Sequence, residues 1–355
     1  SFTQSAIGPA LLGFLVLVLA GSFTLFSFRA HLVSSSPRLE SFVSREGTFL
    51  INNLLLAVYA FVVLIGTTYP LVLEAFTGTQ VGVGEPFFNR LAVPLSFLLL
   101  LVMGFGPITP WGPTHPGLIW RRTRIPAVVA LAAGLVTALT VTRIGWVALA
   151  VTLGTFVVAT IAGLLVEQST NRRSKLDLGP LTAMNQVIVG DQPFWAGQLS
   201  HVGVVLMAVG IAFAANLGDH LEVELTPGQS VEFAGHVFTY ESPFLSQSSN
   251  KTTRGARLSV TRNGDLVGII EPAANTFGNS NTAISTPDVL NRPGGDLYAS
   301  LLDLDSASAT LTLDTSPLIW LLWVGGLVAA GGGFWSMAAR RRERVGAPDR
   351  QNADA

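Results

Sequence analysis

The sequence predicts a polytopic α-helical membrane protein of about seven transmembrane helices, with a small extracytoplasmic antiparallel β domain inserted before the last helix. Three observations predict it. Six apolar stretches follow one another between short polar loops. A seventh closes the chain after a segment of short alternating runs. Loop arginines and lysines fall on alternate sides of the chain.

The apolar stretches cover 6–28, 50–68, 91–108, 125–142, 144–166, 194–216 and 317–339. Each is close to the ~20 residues that cross a hydrocarbon core at ~1.5 Å per residue. Inside lipid the backbone must satisfy its own hydrogen bonds, so each stretch is expected to be a helix. The predicted organisation is a six-helix membrane domain over 1–216, a β domain over 217–316, a last helix over 317–339 and a basic tail over 340–355.

Charge sets the expected orientation. Arg29, Arg38 and Arg45 follow the first stretch, and Arg90 alone separates the second from the third. Arg121, Arg122 and Arg124 come next, then Arg143 alone, then Arg172, Arg173 and Lys175. Arg340, Arg341, Arg342 and Arg344 follow the last stretch. Positively charged loops stay in the cytoplasm, so the chain is expected to start outside and end inside, with 217–316 outside.

Composition narrows the chemistry. A formal net charge of −1 argues against nucleic acid as a partner. With no cysteine there is no disulfide, no thioether attachment of a haem and no thiolate-held cluster. Any metal or porphyrin must be held by histidine, methionine or another non-cysteine ligand. The first residue is Ser1, with no basic segment or cleavage site before the first apolar stretch. The chain therefore reads as the later part of something longer, removal of a leader being the alternative.

Between the sixth and seventh stretches the periodicity changes. Leu221-Glu222-Val223-Glu224-Leu225 alternates strictly, and Thr226-Pro227-Gly228 supplies a turn. Val231–Phe233 and Val237–Tyr240 flank Ala234-Gly235, which predicts a hairpin. Leu258–Arg262 and Asp265–Ile270 flank Asn263-Gly264, a dipeptide suited to a type I′ turn because both central residues need positive φ. A sandwich or an open barrel would satisfy these signals.

Polar side chains within the apolar stretches are few. His201 stands about two turns into the sixth, which the charges place in the inner half of the bilayer. A neutral imidazole there can ligate iron through one nitrogen while the other donates to a carbonyl or hydroxyl, or it can hydrogen-bond between helices as packing glue. His31, His115, His220 and His236 fall in loops or in the β segment, where solvation or a local bond is expected. Asn52 and Asn53 are read at the start of the second helix, where one or both can bond a neighbouring helix, packing being expected ahead of ligand contact. Gly325, Gly326, Ala329, Ala330 and Gly333 place small residues four apart, a pattern that admits a closely packed helix. Trp111, Trp120 and Trp195 lie near predicted helix ends, as interface anchors do.

Several of these residues resemble one family. Ser44-Arg45-Glu46-Gly47 with Asn52-Asn53, then Gly66-Thr67-Thr68-Tyr69-Pro70-Leu71, is similar to the CcmF/NrfE family of cytochrome c biogenesis proteins. Val83-Gly84-Glu85-Pro86-Phe87-Phe88-Asn89 with Pro94, His201-Val202-Gly203-Val204, and Asp296-Leu297-Tyr298-Ala299 resemble further elements of it, in order along nearly the whole chain. The resemblance implies a haem lyase subunit, with no catalytic residue identifiable in this chain. It implies a non-covalent b-type haem in the membrane, with His201 matching the second of two axial histidines. Implied partners are a membrane-tethered haem chaperone, the apocytochrome-handling subunits, apocytochrome c and the missing N-terminal half of the same protein. The implied location is the bacterial cytoplasmic membrane.

Two features depart from the pattern. The family's tryptophan-rich segment, its flanking histidines and the first membrane histidine are absent, and Ser1-Phe2-Thr3 resembles the residues just after them. Pro110 before Trp111 stands where a basic residue is expected. A transporter or export subunit is a different reading, as is a haem-free assembly scaffold in which His201 only packs. Neither repeated halves nor paired helix interruptions, the usual marks of a transporter, occur.

Overall fold

The computed structural model describes residues 7–33, 41, 44–79, 81–113, 115–278, 283–305 and 307–346. Arg38, Ser1-Phe2-Thr3 and the tail beyond Gly346 lie outside the described residues, as do the side chains of Arg342 and Arg344. The helices are α1 (Ile7–Val33), α2 (Arg45–Thr77), α3 (Glu85–Phe105), α4 (Pro116–Thr140), α5 (Gly145–Leu176), α6 (Pro180–Gly190), α7 (Gln192–Leu217) and α8 (Trp320–Gly346). Among the described residues seven of them, all but α6, are long and apolar enough to cross a membrane. Their outward faces carry large exposed apolar side chains such as Phe14, Leu17, Leu139 and Leu327. A surface of that extent is stable against lipid and not against water. This is a multi-pass membrane protein.

The helices outrun the apolar windows that announced them. At ~1.5 Å per residue α5 is roughly 48 Å long, well beyond a ~30 Å hydrocarbon core. Its last turns therefore carry Arg173 and Lys175, which the sequence placed in a loop. Likewise α4 begins at Pro116, so Arg121, Arg122 and Arg124 are helical residues. Asn52 and Asn53 lie in the third turn of α2, not at its start, because the helix begins at Arg45. The short α6 has no counterpart in the sequence reading: it opens on Pro180 at its first position and buries Ala183 and Val187.

Two compact units account for the chain, one of Ser1–Ala133 with Thr152–Asp191, the other of Gly134–Val151 with Gln192–Ala355. In the first, the motif at Ser44 is a helix start: the Ser44 hydroxyl accepts from the Gly47 amide at 3.0 Å. The Gly112 amide donates to both Glu46 carboxylate oxygens at 3.1 and 3.2 Å, and the Arg45 amide donates to the Pro110 carbonyl. The Arg45 guanidinium lies over the Trp111 ring, 5.4 Å from its centre. Proline at 110 therefore serves as an acceptor through its carbonyl. Arg122 donates to both Glu167 oxygens and to the Ile108 carbonyl, tying α4 to α5 and to the 3-10 turn Gly106–Ile108. Gly66 of α2 packs beneath the Phe87 and Phe88 rings of α3, which joins two of the motifs that carry the family resemblance.

The second unit holds a sandwich of ten strands among the described residues. They are β1 (His220–Leu225), β2 (Ser230–Phe233), β3 (His236–Gln247), β4 (Lys251–Arg262), β5 (Asp265–Ile270), β6 (Ala273–Phe277), β7 (Ala283–Thr286), β8 (Asp288–Leu290), β9 (Gly295–Leu304) and β10 (Ala309–Pro317). One sheet has the order β1-β10-β9-β8, the other β2-β3-β4-β6-β7 with β5 also on β4, and every pairing is antiparallel. Alternate residues of both sheets close one core around Phe238, Tyr240, Leu258, Val260, Leu311 and Leu313.

Both hairpins predicted by turn chemistry form. Ala234 and Gly235 take φ of 51° and 70°, and Asn263 and Gly264 take 52° and 89°. Replacing Gly264 by alanine places a Cβ in that left-handed geometry and is expected to cost about 1–2 kcal/mol. Thermal unfolding in detergent should register it, and an unchanged midpoint would contradict the turn assignment.

Candidate functional site

Within the second unit, α7 meets α8 along small residues. A Cβ built on Gly203 would meet the Ala329 amide nitrogen, with the Gly325 carbonyl oxygen at 2.5 Å. Gly332 faces Ala196 and Ser200 just as closely, and the Ser200 hydroxyl donates to the Ala329 carbonyl at 2.9 Å. The seam on α8 is thus Gly325, Ala329 and Gly332. Gly333, which the four-residue spacing favoured, meets nothing within 4 Å. The helical period of 3.6 accounts for the change, since contacts on one face alternate between spacings of four and three.

His201 follows Ser200 by one residue and so stands about 100° around the helix from that seam. Its Nδ1 is buried with no hydrogen-bond partner. Among the described residues this nitrogen has neither a carbonyl or hydroxyl acceptor nor a bond to a neighbouring helix. Three and six residues earlier on the same helix, Gln198 Oε1 and Trp195 Nε1 are likewise buried without partners. Each such atom costs about 1–3 kcal/mol when left unmade. Three within two turns of one helix mark a strip that something polar is needed to complete.

Trp195 is only 6% exposed, against 63% and 70% for Trp111 and Trp120, so it is a buried donor where an interface anchor was expected. Gln198 was passed over in the sequence, although an amide inside an apolar helix is itself a signal. The side chains of Asn52 and Asn53 gain no hydrogen bond among the described residues. Of the other histidines, His220 pairs with Asp314 at 2.6 Å and remains exposed, whereas His236 is buried. Among the described residues no cluster of three or more histidine, aspartate or glutamate side chains could hold a bare metal ion. An imidazole with an unsatisfied nitrogen fits a group that brings most of its own ligands, as a porphyrin does, and needs one axial donor from this chain.

Comparison with known proteins gives the same result along nearly the whole chain. Residues 216–317 match the family model described as the CcmF C-terminal beta-sandwich. The cytochrome c-type biogenesis protein CycK of Bradyrhizobium diazoefficiens is 32% identical over 98% of this chain and 52% of its own length. The CcmF proteins of Escherichia coli K12 and Pseudomonas fluorescens are 31% and 30% identical, over 97% and 95% of this chain and 51% and 50% of theirs. Over nearly its whole length the chain is similar to the CcmF, CycK and NrfE cytochrome c biogenesis proteins. A solved structure titled Cytochrome c Heme Lyase CcmF superposes with a TM-score of 0.70 at 25% identity, covering 94% of this chain and 51% of that one. The chain spans about half the length of the curated relatives it matches. The antiparallel β domain ahead of the last helix, for which the sequence left a sandwich and an open barrel open, is the part that the family model describes as a sandwich.

Proposed function

We propose that this chain works as the C-terminal portion of a CcmF-like haem lyase subunit in bacterial cytochrome c maturation. Similarity to cytochrome c biogenesis proteins over nearly the entire chain carries this reading. The charge pattern supports an orientation in the cytoplasmic membrane with the sandwich outside and the C-terminus inside. In this arrangement the chain acts with the N-terminal half of the same protein, a haem chaperone, the apocytochrome-handling subunits and apocytochrome c.

The unpartnered imidazole supports a second element of the proposal. His201 would hold the iron of a non-covalent b-type haem in the membrane through its imidazole, and Gln198 and Trp195 would add the other unpartnered polar side chains of the same helix. When bound, that haem would supply electron transfer that keeps the transferred haem iron reduced. The residues of this chain hold and orient: α7 fixes the imidazole, the seam with α8 fixes α7, and the apolar flank excludes water. Thioether formation itself then depends on holding haem and the apocytochrome cysteines close together, which is a positioning task for the assembled complex.

A bacterium deleted for its CcmF homologue provides the test. Expression of this chain together with the N-terminal half should restore haem-stained c-type cytochromes to near the parental amount, and neither half alone should do so. Membrane-inserted protein from both halves with no restoration would contradict the reading.

A further inference from the structure

A cavity of about 470 Å³ opens at the membrane-proximal end of the sandwich, where α7 passes into β1 and β10 passes into α8. The crossing is pinned in place: the Asp219 amide donates to Thr315 Oγ1 at 2.8 Å, and the Thr315 amide donates to the Asp219 carbonyl at 3.0 Å. Another wall is the turn before β9. Buried Asp296 holds it by accepting from the Arg292 amide at 3.1 Å and from Asn291 Nδ2 at 3.0 Å.

The titratable groups lining the cavity are Arg262 from the end of β4, Arg292 from that turn, Asp219 and His236. Neither guanidinium forms an ion pair among the described residues, so the two arginines outnumber the lining carboxylate Asp219, while the Asp296 carboxylate stands behind the wall bonded to its turn. His236 is only 7% exposed. Its Nδ1 lies 2.8 Å from the Ala234 carbonyl, which can only accept, so Nδ1 carries the proton. Nε2 is then a buried lone pair with no partner. Burial, with Arg292 and Arg262 nearby, holds the imidazole below its ordinary value and therefore neutral.

We infer that this cavity binds a phosphate group, with Arg262 and Arg292 as its charge partners and His236 as a third donor that takes up a proton when the group arrives. Two guanidiniums and one N–H match the several oxygens of a phosphate. The spans of α7 and α8 end at Leu217 and begin at Trp320, which sets the cavity at headgroup depth. A phospholipid headgroup and free phosphate share this chemistry. The bound anion opposes both arginines, so the His236 pKa rises on binding, and by linkage the site holds its anion more tightly as pH falls.

The test follows the histidine ring signals by NMR in the full chain, labelled at histidine and held in maltoside micelles free of phosphate. Addition of inorganic phosphate or of phosphatidylglycerol is expected to shift the His236 signals saturably and to raise its titration midpoint by about one pH unit. A response to inorganic phosphate identifies a free-anion site, and a response to the lipid alone identifies a headgroup site. Arg262→Gln, at an exposed position, should raise the half-saturating concentration about tenfold. Arg257→Gln, which removes a partner of Glu271 outside the cavity, should leave it unchanged. The His220 signal, reporting the Asp314 contact, should stay fixed and so mark an intact sandwich. Failure of both ligands to move His236, or an equal response in Arg262→Gln with His220 unchanged, would overturn the inference. Neither result depends on haem.

Discussion

Gly203→Leu is expected to separate α7 from α8 and to cost at least ~3 kcal/mol. The position has no spare room, because a Cβ there meets backbone atoms: the Ala329 amide nitrogen, the Gly325 oxygen at 2.5 Å and Ala329 Cα at 2.8 Å. A side chain could rotate away, whereas helix backbone can only retreat. The opposite glycine is as constrained, since a Cβ on Gly325 would lie 2.6 Å from the Gly203 oxygen. In lipid the association of helices rests on such close packing and on bonds like that from Ser200 to Ala329, so losing the approach loses most of the attraction. Gly333→Leu is the matched control, for its Cβ meets nothing within 4 Å. Thermal unfolding in detergent, followed by tryptophan fluorescence, should show a large drop for the first variant and none for the second. Equal midpoints would mean that α7 and α8 are not held by this seam.

Phe238→Ala should cost about 3–5 kcal/mol and loosen the whole sandwich. Phe238 is fully buried in the core with Tyr240, Leu258, Val260, Leu311 and Leu313, drawn from both sheets. Its ring centre is 6.2 Å from that of Phe233. A domain of this size has ~5–15 kcal/mol of stability in all, so the loss is a large fraction of it. The neighbouring Val237 points to the other face of the same strand and is 37% exposed, so Val237→Ala should cost below ~1 kcal/mol. Hydrogen exchange across β3, β4 and β10 distinguishes the two. Similar protection in both variants would contradict the placement of Phe238 at the centre of the core.

The parts of this fold that were legible in the sequence depend on local signals. Seven membrane helices were readable because each needs an apolar window of its own. Their ends were not, because helix continues where hydropathy stops: Arg122 in α4 and Glu167 in α5 pair with each other beyond the apolar windows. The short α6, with Asn185 and Gln186 in its middle, resembles a loop by composition. Ala234-Gly235 and Asn263-Gly264 announced their hairpins because positive φ is a property of two residues. The pairing of β1 with β10 joins strands far apart in the chain, and no local pattern encodes it.

Candidate-site residues follow the same division. His201 was visible because an imidazole is out of place in an apolar helix. The roles of Gln198 and Trp195 were not, because burial without a partner is a property of the packed structure. His236 shows this from the other direction. Its sequence position suggested a solvated or locally bonded ring, and its Nδ1 does bond locally, but its Nε2 is buried without a partner among the described residues.

The most direct measurement is the reduced absorption spectrum of this chain purified in detergent after co-expression with the N-terminal half, with and without His201→Ala. The expected result is a Soret and an α-band in the unsubstituted protein, both lost in the variant while the amount of folded protein is unchanged. Identical bands in the two proteins, or colourless protein that still matures cytochrome c, would contradict His201 as the haem ligand.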